Sequence, residues 1–328
     1  MLMQDLLGEI PQPLQPLEDD QENIGNLSRH LLAAISAAQG EEATEADLVG
    51  MNQHQMSARV DLHLQRQLMD GVDGEGEVRE VARLNSLSLP HAGDWLNVAP
   101  LTALGLHLRP SEFVMAVKYR LGLPVYDRAG PCPACLRQCV TMLDDHAMCC
   151  GSGGERISRH NALRDAFYDT AASAGLAPVK EGRFLLPGAD RRPADVLVPH
   201  WAGGRDAALD VTVVHPIQDA TMPNAATTPG FALSFAHDRK IRGAEEDCRR
   251  QGIAFIPMVA ESFGGWHTAA EREVRKLGAA LARHTGQEEG EAIGHFWGRL
   301  GILLQRGNAA LLSNRVPELP GPIVDGVL

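Results

Sequence analysis

Aromatic residues are scarce in this chain. It has eight Phe, four Trp and three Tyr among 328 residues, 5% in all. The overall hydrophobic content of 44% is enough for one or two packed domains. No apolar run approaches the roughly 18 residues of a membrane span. The first residues lack the basic region and apolar stretch of a secretory signal. The expectation is a soluble protein, nuclear or cytoplasmic, not secreted and without a membrane partner. No internal repeat is visible. An excess of positive charge is missing too, since the net charge is −12. That deficit is local. Residues 1–80 hold 16 Asp and Glu against 4 Lys and Arg, whereas residues 81–328 hold 26 of each. The neutral remainder is free to present a basic face, so the overall charge does not exclude a nucleic-acid partner.

Six cysteines occur, and five of them (Cys132, Cys135, Cys139, Cys149 and Cys150) fall within 19 residues. In an intracellular chain such clustering favours a metal over disulfides. Cys132-Pro-Ala-Cys135 and His146-Ala-Met-Cys-Cys150 give C-x2-C, ten residues, then H-x3-C. Three thiolates and one imidazole suit tetrahedral Zn²⁺, and four protein ligands leave no open position, so the zinc would be structural. Cys139 and Cys149 are alternative ligands, and reduced core cysteines are the plainer reading.

Along the chain, residues 1–50 mix Pro, Gln and acidic residues around an apolar patch, Leu27 to Ala38, where a short helix is expected. Further helices are expected over 51–70, Glu77–Asn85, Pro110–Leu121 (ended by Gly122) and Ile157–Ala174. Strand signals begin after Gly175: Phe184–Leu186, Asp195–Val198 and Ala207–Val214. A Pro/Asn/Thr loop fills 216–230, a charged helix spans Phe231–Gln251, and Ile253–Val259 reads as a strand, near an edge because of Pro257. Thr268-Ala-Ala-Glu271 and Thr285-Gly-Gln-Glu288 both have the form of a capping box and predict helices to about Ala282 and Leu312. The tail from Pro317 is expected to be loose. This order describes a small α/β core.

The strand pair at 190–214 carries one carboxylate in each strand, Asp195 and Asp210. A buried carboxylate must pair, coordinate a metal or neutralise. Asp195 capping a turn and Asp210 pairing with an arginine is the plain alternative. On adjacent strands of a hairpin, the two can also meet at one point that seats a hard cation such as Mg²⁺.

Pro193-Ala-Asp195, fourteen residues, then Asp210-Val-Thr-Val resembles the PD-(D/E)xK nuclease core. More narrowly, it resembles the restriction-like endonuclease region at the C-terminus of one branch of non-LTR retrotransposon polyproteins. That branch has a Cys-Cys-His-Cys knuckle before its nuclease, then an Arg-His-Asn segment opening a helix, matched here by Arg159-His160-Asn161. The likeness covers roughly residues 80–285, including Ser86–Val125 and Val259–Trp266. Two departures stand out: Ala194 separates Pro193 from Asp195, and Thr212 occupies the place of the motif's lysine. The resemblance moves that lysine to a later helix, where Lys240 matches, and makes Glu181 an upstream acid.

The resemblance thus implies an α/β fold: a small mixed-sheet restriction-endonuclease-like core, a zinc knuckle and a mostly helical N-terminal region. The expected divisions are an acidic segment 1–80, a helical linker 81–130, the knuckle 131–156, the nuclease core 157–285, and a C-terminal helix and tail 286–328. The implied activity is nicking of duplex DNA, as in target-primed retrotransposition, with element RNA as a second candidate partner. The implied site has Asp195, Asp210, Lys240 and Glu181 as catalytic residues, with Mg²⁺ on the two aspartates. It has structural zinc on Cys132, Cys135, His146 and Cys150, and phosphate contacts from Arg159, His160, Asn161 and Arg164. Trp201, Trp266 and Trp297 are expected to pack rather than stack on bases. No reverse transcriptase segment is recognisable in residues 1–130. The alternative is a catalytically inactive zinc-containing nucleic-acid-binding module or retroelement remnant.

Overall fold

The structure, a computed structural model, describes residues 53–317 except 73, 75, 137–138, 144, 183–185 and 187–193, together with residues 32, 33 and 36. The expected strand at Phe184, most of the apolar patch at Leu27 and the tail beyond Pro317 lie outside these residues. The chain divides into two units, 1–74 and 75–328. In the first, helix α1 spans Gln53–Asp70. All that follows concerns the second.

Two helices open this unit, α2 (Glu77–Leu87) and α3 (Pro110–Arg120), with two short 3-10 turns between them. Pro110 sits in the first turn of α3, where its missing N–H has no partner to lose, and Gly122 follows with φ 69°. A small hairpin pairs β1 (Gly130–Pro131) with β2 (Cys139–Val140), and a one-turn helix α4 (Asp145–Cys149) follows. Then come α5 (Glu155–Ser173), β3 (Val179–Lys180), β4 (Val196–Ala202), β5 (Arg205–Val214), α6 (Met222–Thr227), α7 (Phe231–Arg250), β6 (Ala254–Glu261), α8 (Thr268–Thr285) and α9 (Glu289–Ser313).

The main sheet is mixed and runs β3-β4-β5-β6. β4 and β5 form an antiparallel hairpin around Gly203 and Gly204, whose φ values of 62° and 82° suit a two-residue turn that side chains disfavour. β6 lies parallel to β5, reached through α6 and α7. Pro257 is tolerated because β6 is an edge strand. The alternation along each strand sorts side chains between two layers. Val196, Val198, Ala207, Leu209 and Val211 pack with Leu163 and Phe167 of α5, Val274 and Leu277 of α8, and Phe296 and Leu300 of α9. Leu197 and Ala208 face the other way, towards Ile241, Ala244 and Cys248 of α7. Asp210, two residues beyond Ala208, therefore leaves the sheet on the α7 side.

Three sequence expectations change. The loop at 216–230 contains α6. Thr285 does not open the last helix. Its hydroxyl bonds back to Leu281 O at 2.9 Å inside α8, Gly286 ends that helix at φ 75°, and the Glu288 carboxylate caps α9 by accepting from Glu291 N–H. A carboxylate beside the first orphan amides competes well with a threonine hydroxyl for that position. Finally, α9 is not an appendage to the core. Phe296, Trp297, Leu300 and Leu304 belong to the principal hydrophobic cluster. Trp266 and Trp297 meet edge to face at 5.9 Å inside it.

Candidate metal and carboxylate sites

The zinc-type site is assembled from one hairpin and one helix turn. Cys132 and Cys135 lie just beyond β1, and α4 presents His146 with Cys150 immediately after it. One donor atom from each of Cys132, Cys135, His146 and Cys150 lies within 4.8 Å of all the others. Cys132 and Cys150 Sγ are 4.0 Å apart, and Cys135 Sγ is 3.4 Å from His146 Nε2. Bond lengths of about 2.3 Å for Zn–S and 2.0 Å for Zn–N require donor separations on the order of 3.5–3.8 Å around a tetrahedral ion. The four groups come close to that requirement, with two separations at 3.4 and 4.0 Å and all of them within 4.8 Å. Arg315 is fully buried behind them and donates to Ser152 O at 2.6 Å, to Leu311 O and to Glu155, closing the turn that leaves Cys150.

The second site is a cleft of about 460 Å³. Its wall includes Asp195, Asp210, Thr212, Lys240, His160 and Arg156. The hairpin register explains the first pair. Val196 is partnered with Leu209, and Asp195 and Asp210 flank that pair at the same end. Asp195 Oδ2 accepts from Val211 N–H at 2.7 Å and lies 3.0 Å from His160 Nε2 on α5. Lys240 comes from α7, and its Nζ is 2.7 Å from Asp210 Oδ2. Burial pushes the Asp210 carboxyl above its usual range. The nearby Lys240 ammonium opposes that, while the Asp195 charge adds to it. The hydrogen bond to Asp195 raises His160 above an ordinary imidazole, against its own burial.

The remaining candidate residues are placed differently. Glu181 lies outside the cleft wall, and Arg164 binds its carboxylate while also reaching Asp165 at 2.9 Å. Arg164 is therefore neutralised locally rather than presented to a phosphate. Arg159 borders the cleft but is only 3% exposed, and its Nη1 donates to Asn308 Oδ1 at 2.6 Å. Burial pushes its pKa down to about 10. Its guanidinium is thus engaged inside the fold, at the border of the cleft. Asn161 Oδ1 sits 3.3 Å from His160 Nδ1 and is not part of the cleft wall.

Two features were missed from the sequence. Arg156, exposed on the first turn of α5, faces the cleft and donates to Cys149 O at 3.0 Å. A buried polar network also joins the knuckle to the sheet. Asp145, adjacent to His146, pairs with Arg79 and lies 3.4 Å from His215 Nε2, and His215 Nδ1 meets Ser262 Oγ at 2.7 Å. Ser262 is 1% exposed, so this Ser-His-Asp arrangement has no access for a substrate. No family model matches the chain, and no curated protein matches it.

Proposed function

We propose that this chain is a divalent-metal-dependent endonuclease that nicks duplex DNA. The observation that carries the reading is convergence: Asp195 and Asp210 from one hairpin and Lys240 from a separate helix line one cleft. Lys240 reaches that cleft although Thr212, two residues after Asp210, also lines it. A lysine carried on a helix can thus supply the charge that a strand lysine provides in the motif this hairpin resembles.

Asp195 and Asp210 would hold Mg²⁺; burial raises the Asp210 carboxyl and the Asp195 charge adds to that, and a cation between the two would offset both. Mg²⁺ bound there supplies Lewis-acid polarisation of a phosphoryl oxygen and a bound water of lowered pKa. The chain's own groups do the rest. Val211 N–H and His160 fix the Asp195 carboxylate in one orientation. Lys240 places a positive charge where negative charge develops on a phosphate in the transition state. Arg156, on the rim, offers a guanidinium to the DNA backbone, a contact that positions without reading sequence. The knuckle and α5 would hold the duplex.

Binding without cleavage is the second reading. The Asp210–Lys240 pair favours it, because an ion pair already gives the buried carboxylate a partner. A supercoiled plasmid incubated with the purified chain and Mg²⁺ separates the two. Nicked circles that vanish with chelator support the nuclease. A gel shift without nicking makes the chain a binding module.

A further inference from the structure

The cleft is held from behind by a residue that no motif marks. Asn308 lies in the C-terminal part of α9 and is 1% exposed. Its Nδ2 donates to Ser262 O at 2.7 Å, and its Oδ1 accepts from Arg159 Nη1 at 2.6 Å. Both arms lead to sites already described. Ser262 bonds His215, which meets Asp145 next to the zinc-type ligand His146. Arg159 precedes His160, which holds Asp195. Buried polar contacts thus run from Asp145 to Arg159 with Asn308 as their joint, and the backbone of α5 carries on from Arg159 to His160.

The packing around the joint is close. A Cβ at Gly307 would come within 2.5 Å of Arg159 Cγ, so α9 touches the stem of Arg159 directly. Asn308 and Gly307 together fix the rotation of α5 about its own axis at that turn. His160 is one residue further round the same helix. A small rotation there swings the imidazole away from Asp195 Oδ2. Groups that orient a ligating carboxylate act on metal affinity without touching the metal.

We infer that Asn308 is the positioning residue of the carboxylate cleft, setting Arg159 and through it the His160–Asp195 contact. The inference rests on the divalent-cation reading of the cleft. Its test uses Mn²⁺ alone as the probe, with affinity measured by calorimetry on the zinc-loaded chain. Asn308→Leu keeps the branched shape and removes the bonds to Arg159, Ser262 and Gln305. The expected result is a loss of about tenfold in Mn²⁺ affinity, the scale on which outer groups tune metal sites, with zinc content unchanged at one per chain. The double variant R159M/N308L replaces both buried polar partners with apolar groups, a change a folded core tolerates better than removing one. It should show the same loss even if Asn308→Leu alone folds poorly. Asn308→Asp retains the acceptor for Arg159 and should bind Mn²⁺ within about twofold of wild type. If folded variants lacking the Asn308–Arg159 bond bind Mn²⁺ as wild type does while Asp195→Asn does not, Asn308 is merely structural and the inference is overturned. If wild type binds no Mn²⁺, the cation reading and this inference fall together.

Discussion

The zinc-type knuckle and the carboxylate cleft are both places where charged donors converge, yet they are built in opposite ways. The knuckle draws four ligands from 19 consecutive residues, held by one hairpin and one helix turn. The cleft draws its wall from α5, β5, α7, Gly151 and Asp195, spread over residues 151–240. The Cys/His cluster's geometry is local, and its four donors would close around an ion. The cleft's geometry exists only when the sheet, α5 and α7 have docked, and it stays open to solvent. A local site stabilises the fold, whereas a composite site depends on it.

Removing the metal should give the largest effect and the clearest contrast. Chelation of zinc, or Cys132→Ala, should abolish one zinc per chain and unfold the segment around 131–156. Zinc-binding energies on the order of 10 kcal/mol are folding energy in such sites. Elemental analysis and melting curves check this. Removing divalent cations from the cleft should lower the melting temperature only slightly, by mass action, because that cleft is held by the surrounding sheet and helices.

A buried carboxylate with no cation beside it sharpens the comparison. Glu261 ends β6, is 1% exposed, and burial pushes its pKa to about 7 despite a hydrogen bond to Ser86. Its folded pKa is raised above the unfolded value, so protonation favours folding. Its contribution is full below pH 4.5 and is lost as pH rises through about 7. Glu261→Gln should therefore be more stable than wild type at pH 8, by on the order of 3 kcal/mol, and nearly equal to it at pH 4. Denaturant melts at the two pH values decide it.

Lys240→Met is expected to act more weakly. It leaves Asp210 without its ammonium, but Lys240 is one-third exposed and the screened loss is about 1–2 kcal/mol. Asp210→Asn should be the mildest, with a melting temperature equal to or slightly above wild type. The sign follows from the raised Asp210 carboxyl: ionisation at neutral pH already costs folding energy, and the amide removes that cost.

The sequence showed the knuckle because metal-ligand spacing is a local property. It showed the two aspartates for a similar reason: both lie in one hairpin with a Gly-Gly turn. Lys240 was reachable only through a resemblance, since nothing in its own helix distinguishes it from a solvated charge. The roles of His160 and Arg159 were not legible. They are neighbours on α5 about 100° apart, and only the packing of α9 decides which one turns inward. Gly307-Asn308 inside an apolar helix was the available signal, a small residue and a polar one where close approach and a buried partner were needed. Ile157 shows the converse. It was expected to open this helix; the helix begins at Glu155 instead, and Ile157 is 65% exposed on the turn that borders the cleft.

Plasmid nicking by Asp210→Asn tests the nuclease account most directly. Wild type and variant are compared in Mg²⁺ alongside a DNA gel shift at two salt concentrations and a thermal melt. The account predicts an intact fold, unchanged salt-sensitive DNA binding supplied by phosphate contacts elsewhere, and nicking reduced by roughly 100-fold or more, on the scale of the several kcal/mol that a catalytic metal contributes. A variant that nicks as fast as wild type would show that Asp210 holds no catalytic cation, and the endonuclease reading would lose its centre.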